Sequence, residues 1–211
     1  VRLRAELGLA ASDVLVLYVG RLAWEKNLDA LLSAFAQVRQ QFENEHGPKL
    51  KLVFVGDGPL LNDLRHRAGP DVVLPGPKSG EDLARWYASA DIFAFPSRSE
   101  TFGNVILEAQ ASGLPVLAFR YPATEERIQH GRDGLLLTDD GELTVALAAL
   151  CTNPSARRSL QVAARETARR QAWEPIFDHL EAEYATLVAA AQARQRRCRQ
   201  PRLARPVWQA A

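Results

Sequence analysis

With 211 residues, 47% of them hydrophobic, the chain can fill one domain core but not two. Its formal charge is +1, but six of the 26 basic residues are arginines of the acid-free stretch Ala193–Ala211, which leaves 20 basic against 25 acidic groups before it. That balance excludes a nucleic-acid binder by bulk electrostatics.

Residues 1–13 read as a linker with a short helical turn, closed by Gly8. Val14–Val19 is a continuous β-rich run, the pattern of a parallel strand covered on both faces. This apolar run is far short of the ~20 residues that a membrane span needs. Gly20–Lys26 follows as a loop, and Asn27 is placed to cap a helix with Leu28, Leu31, Leu32, Phe35 and Val38 inward. Further strands are expected at Leu50–Val55, Val72–Leu74, Ile92–Phe95, Pro115–Phe119 and Gly134–Thr138, the third broken at Pro75. Helices are expected between them and over 140–151, 155–171 and 174–192. This alternation predicts an α/β fold, a doubly wound parallel sheet of about six strands. From Gln192 onward the Arg/Gln/Pro/Ala composition reads as a flexible basic arm. Cys151 and Cys198 lack metal-ligand spacing and read as reduced thiols of a cytosolic protein. No signal peptide is visible, and a chain without Met is expected to begin mid-protein or after trimming.

Three loops carry chemistry, and each follows a strand, at the edge where such sheets bind ligands. Arg21 and Lys26 bracket the loop after the first strand. Two long cations beside Gly20 and a helix start suit a diphosphate, and a solvated loop is the plainer alternative. Gly56-Asp57-Gly58-Pro59 lacks the third glycine of a dinucleotide fingerprint and the lysine of a triphosphate loop, leaving a tight turn or a ligand-lining role for Gly56. Pro96–Glu108 holds two carboxylates, Glu100 in a turn and Glu108 in the second turn of a helix that begins near Gly103 and Asn104. Free N–H groups at 102–105 mark the positive end of that helix. Glu100 and Glu108 could serve as a glycosidase acid/base pair, but the neighbouring cations argue for an anionic ligand that also carries hydroxyls, such as a nucleotide sugar. The four histidines share no spacing and read as surface residues.

Glu100-x7-Glu108, preceded by Pro-Ser and followed by Glu-Ala-x-Ala-Ser-Gly-x-Pro-Val, resembles the signature of the retaining nucleotide-sugar glycosyltransferases that include sucrose and glycogen synthases and bacterial mannosyltransferases. Gly20-Arg21-Leu22-x-x-Glu25-Lys26-Asn27 and Gly56-Asp57-Gly58-Pro59 are similar to that family's other blocks, in the same order. The resemblance implies one half of a two-domain GT-B enzyme, the C-terminal donor-binding domain, Rossmann-like, over residues 14–172. It also implies a crossover helix at 173–192, with residues 1–13 an interdomain linker and 193–211 the basic tail. Arg21 and Lys26 would hold the diphosphate and, with Glu100 on the sugar hydroxyls, form the catalytic set. Gly20, Gly56 and the backbone at Phe102, Gly103, Asn104 and Val105 would surround sugar and phosphates, Glu108 would take the ribose hydroxyls, and Lys78 would lie near the base. No metal and no cofactor is implied. The substrate is a donor such as GDP-mannose, which the wording favours, or a UDP-sugar, and the product a hexosylated glycan or lipid of the cell envelope. The partner implied is an N-terminal acceptor domain absent from this chain. The Arg-rich tail, read from its charge, is either a disordered end or a tether to a partner or to an anionic membrane at its inner face. The last helix, without that domain, would leave Ile176, Leu180 and Leu187 exposed. Where the family often has Gly-Gly-x-x-Glu after strand five, this chain has Tyr121-Pro-Ala-Thr-Glu125. A non-catalytic binding module and a nucleotide-sugar epimerase are the alternatives.

Overall fold

The apolar runs form six strands: β1 Val14–Val19, β2 Leu50–Val55, β3 Val72–Gly76, β4 Ile92–Phe95, β5 Val116–Phe119 and β6 Gly134–Leu137. They make a single parallel sheet in the order β3-β2-β1-β4-β5-β6. The structure, a computed structural model, describes residues 2–45, 47–99 and 103–199. Helices are α1 Arg2–Glu6, α2 Leu28–Glu45, α3 Leu61–Arg67, α4 Gly80–Ser89, α5 Asn104–Ala111, α6 Pro122–Glu125, α7 Asp140–Thr152, α8 Pro154–Arg170 and α9 Trp173–Arg199.

The centre of the sheet is buried on both faces because its strands are apolar, every residue of β1, β4 and β5 being buried, while Lys51 of β2 and most of the edge strand β3 are half-buried. Right-handed crossovers put α2 and α3 on one face and α4, α5 and α6 on the other. α7 packs against α2, and α1 against α4. β3 continues through Pro75, where a break was expected. It is the edge strand, so a missing N–H costs no ladder bond on its open side, and the Gly76 carbonyl still accepts the Gly56 N–H at 3.2 Å.

Two compact units divide the chain, Val1–Arg169 and Arg170–Ala211. The stretch before β1 is fastened to the first unit by Arg4. Its guanidinium donates to the carbonyls of Ser89, Ala10 and Asp13 and lies 2.5 Å from an Asp91 carboxylate oxygen that also accepts the Leu15 N–H. In the second unit α9 runs to Arg199, past the expected stop at 192, because Ala, Gln and Arg are good helix formers whatever their charge. Ile176, Leu180 and Leu187 on it are exposed, as are Phe177, Tyr184 and Val188. Among the described residues no helix is long and apolar enough to cross a membrane.

Candidate functional site

The strand order reverses between β1 and β4, so the loops that follow these two strands flank a crevice at the topological switch point. After β1 the chain turns at Gly20 (φ 153°), passes Arg21 and forms a 3-10 turn over Trp24–Lys26. Asn27 closes that turn in the left-handed conformation (φ 53°), and its carbonyl accepts the Ala30 N–H at 3.2 Å at the start of α2. Asparagine suits the position because its short side chain tolerates φ > 0. After β4, buried Ser97 leads to Ser99, whose carbonyl accepts from Lys26 Nζ at 3.3 Å, while Ser99 Oγ donates to the Glu25 carbonyl at 3.4 Å. The two loops of the switch point therefore touch each other through the lysine singled out above.

The β1 loop is laced to the β2 loop by backbone. Gly20 N–H donates to Val55 O (3.0 Å), Leu22 N–H to Asp57 O (2.8 Å) and Leu60 N–H to Leu22 O (2.9 Å). A Cβ at Gly56 (φ 147°) would collide with the Gly20 carbonyl oxygen, and one at Gly58 (φ 155°) with that of Leu22. These glycines are therefore required by close backbone approach as well as by φ. The result is a cleft of about 280 Å³ at the ends of β1, β2 and β3, lined by Val19, Gly20, Arg21, Val55, Gly56, Asp57, Pro77 and Lys78. Gly20, Arg21, Gly56 and Lys78, expected apart in sequence, are brought together there. Arg21 is exposed and lies 3.9 Å from Glu25. The cleft falls just below the roughly 300–1,000 Å³ of complete small-molecule sites, as one wall of a larger site would. Larger hollows, about 500 Å³ beside β2 and α2 and about 700 Å³ between α1 and α4, lie elsewhere. The first is rimmed by charges already paired, Arg39 and Lys51 with Asp71.

On the other side of the switch point Gly103, left-handed at φ 57°, precedes α5, and its carbonyl accepts the Ile106 N–H at 2.8 Å. The first-turn N–H groups of α5, at Asn104 and Val105, have no acceptor within the helix and form its positive end. Glu100 and Phe102 lie outside the described residues, as does His46. Glu108 stands exposed on α5 and accepts from Tyr87 Oη of α4 at 2.8 Å. Burial pushes the Tyr87 hydroxyl far above the ordinary phenol range, and the Glu108 charge adds to the shift.

No sequence motif marked Tyr87 or Arg98 for the site. The Tyr87 ring is core, and periodicity is blind to the hydroxyl at its end. The Arg98 guanidinium carbon lies 4.1 Å from the centroid of the buried Phe119 ring, with a nitrogen 3.6 Å from Asp140. After β5, the Thr124 hydroxyl accepts the Tyr121 N–H (3.1 Å) and donates to Phe119 O (2.7 Å), with Pro122 at the first turn of α6. Glu125 there is engaged by Arg120 at 2.8 Å. His66 is exposed, and His130 accepts the Leu136 N–H through Nδ1 at 3.0 Å. Asp133 is buried and bound to Thr167 Oγ1 (2.7 Å), a structural role. Among the described residues no group of three or more His, Cys, Asp or Glu side chains could hold a metal.

The family described as glycosyl transferases group 1 matches residues 13–153, more than half of the chain. The chain belongs to the group 1 glycosyltransferases. Within them it is 34% identical over 194 residues to the GDP-mannose-dependent alpha-mannosyltransferase of Corynebacterium glutamicum, covering 91% of this chain and 44% of that protein. To the sulfoquinovosyl transferase of Arabidopsis thaliana it is 36% identical over 165 residues, 75% of this chain and 31% of that one. The sucrose-phosphate synthase of Thermosynechococcus elongatus superposes with a TM-score of 0.73 at 30% identity, over 89% of this chain and 48% of that one. This glycosyltransferase chain thus spans less than half the length of each of these relatives. Its Rossmann-like sheet is the fold that the resemblance implied.

Proposed function

We propose that the chain is the donor-nucleotide-sugar-binding domain of a retaining glycosyltransferase acting on a glycan or lipid acceptor at the cytoplasmic side of the cell envelope. The observation that carries the proposal is the joining of the β1 loop, with Arg21 and Lys26, both to the β2–β3 cleft and to the Ser97–Ser99 loop before α5. A base beside Pro77 and Lys78 would set the diphosphate against Arg21, with Lys26 and the α5 N-terminus near at hand. Glu108 is suited to the ribose hydroxyls and Glu100 to those of the sugar.

In the reaction the bond from the anomeric carbon to the diphosphate oxygen breaks while the acceptor hydroxyl attacks from the same face, its proton passing to the departing diphosphate. Negative charge grows on the departing diphosphate, and fixed cations and unpaired N–H groups aimed at it lower the barrier with no rearrangement at the moment of reaction. Among donors a hexose on GDP is favoured, mannose first, since one relative aligned over 91% of this chain is named for GDP-mannose. The sulfoquinovosyl relative shows that the sugar varies within the family.

Calorimetric titration with GDP, UDP and ADP tests the proposal. One nucleoside diphosphate should bind in preference to the others, and Arg21→Ala or Lys26→Ala should weaken it by about tenfold each, the worth of one charge-assisted contact. Equal affinity for all three and for inorganic pyrophosphate, or insensitivity to both substitutions, overturns it.

A further inference from the structure

We infer that Tyr87 is a positioning residue that fixes the Glu108 carboxylate in the orientation needed to grip the two ribose hydroxyls of the donor, an inference that rests on the donor-binding reading above. Tyr87 lies in the last turn of α4 with its ring buried against Phe93 of β4, the centroids 5.9 Å apart. Phe93 stacks in turn on Phe95, and Phe95 on Tyr18, so the ring is held by a row of aromatic side chains running under the switch point. A phenol hydroxyl buried with its ring needs an acceptor, and Glu108 Oε2, 2.8 Å away, supplies it. The two residues come from neighbouring helices, 21 positions apart in the chain.

The geometry has a consequence for the ligand. Glu108 is otherwise exposed on α5, and an exposed glutamate samples many rotamers whose loss must be met when a ligand is gripped. A rigid donor on Oε2 removes most of that freedom before the ligand arrives. A carboxylate accepts about four hydrogen bonds, so one bond from Tyr87 leaves room for a pair of vicinal hydroxyls. The hydroxyl stays a donor at neutral pH because burial and the adjacent carboxylate both oppose its ionisation. The competing role, a tie between α4 and α5 with no bearing on ligand, predicts no dependence on the sugar hydroxyls.

The test compares affinities for GDP and UDP with those for their 2′,3′-dideoxy counterparts in the full chain and in Tyr87→Phe and Glu108→Gln. Phenylalanine keeps the ring packing, and an unchanged thermal transition confirms that the variant folds. The full chain should prefer the ribonucleotide by about tenfold, and Glu108→Gln should abolish the preference. Tyr87→Phe should cut it by about threefold or more while leaving dideoxynucleotide affinity unchanged. If Tyr87→Phe keeps the whole preference while Glu108→Gln loses it, or weakens both ligands equally, the inference is overturned and the donor-binding reading stands. If the unaltered chain shows no preference, the role of Glu108 falls and the inference with it.

Discussion

Cys151 and Tyr87 are both buried ionisable groups of the first unit, and both are held neutral. Cys151 lies in the last turn of α7 in the core, its carbonyl accepting from the buried Arg157 guanidinium at 2.9 Å beside that of Leu150. Burial pushes its thiol from 9.0 up to about 12, Arg157 opposing and Asp91 reinforcing the shift. The folded state therefore keeps a proton that the unfolded state releases above pH 9. The unfolded state binds fewer protons there, so stability falls as pH rises, by up to about 1.4 kcal/mol per pH unit. The contribution of the neutral thiol is complete below pH 9 and fades toward pH 12. Urea unfolding at pH 8, 9.5 and 10.5 should show a shallower decline for Cys151→Ala than for the unaltered chain. The difference in slope isolates the thiol from Tyr87, which contributes to both proteins. Parallel curves would mean that the thiol ionises as easily in the fold as out of it. The same burial keeps this cysteine out of redox or nucleophilic chemistry, since the thiolate is the reactive form.

At the scale of elements, the site depends on two loops whose backbones are closer than side chains would allow. Gly56→Ala sets a methyl group against the Gly20 carbonyl oxygen at a backbone angle that L-residues rarely adopt. It should cost at least about 2 kcal/mol and open the cleft, in contrast to Gly69→Ala, which meets nothing within 4 Å and should lie within about 0.5 kcal/mol of zero. Denaturant midpoints of the two variants check this, and equal midpoints would remove the lacing argument. The strands that hold these loops were legible in the sequence because β-rich apolar runs bounded by glycine and proline have few other uses. β1, β2 and β4 begin and end where those runs do. What ties one element to another was not legible. The Tyr87–Glu108 bond, the Arg98–Phe119 stack and the Lys26–Ser99 bond join residues distant in the chain, and spacing along one element carries no trace of them. Asn27 shows the intermediate case. Its residue type marked a helix start, and its backbone, left-handed and closing the 3-10 turn, takes part in forming one.

For the whole molecule, a glycosyltransferase needs two walls. Donor and acceptor react because they are held together in a near-attack arrangement, and that orientation accounts for much of the rate. The cleft of about 280 Å³ offers one wall, open to solvent, on a chain that spans 44% of the mannosyltransferase relative and 48% of the sucrose-phosphate synthase. Water would compete freely with any acceptor there, and the groups that activate and position the acceptor hydroxyl would have to come from a facing surface. The reading therefore separates binding from transfer. The chain should bind a nucleotide sugar at least as well as the bare nucleoside diphosphate, with the affinity falling in high salt because Arg21 is exposed to solvent. Yet radiolabelled GDP-mannose or UDP-glucose incubated with it and a lipid or glycan acceptor should yield product only at the rate seen without protein. Mixing the chain with a separately produced acceptor-binding domain should restore transfer, and restoration should fail with Arg21→Ala. Turnover by the chain alone would show that the second wall is dispensable and that Arg21, Lys26 and the α5 N-terminus suffice for both steps.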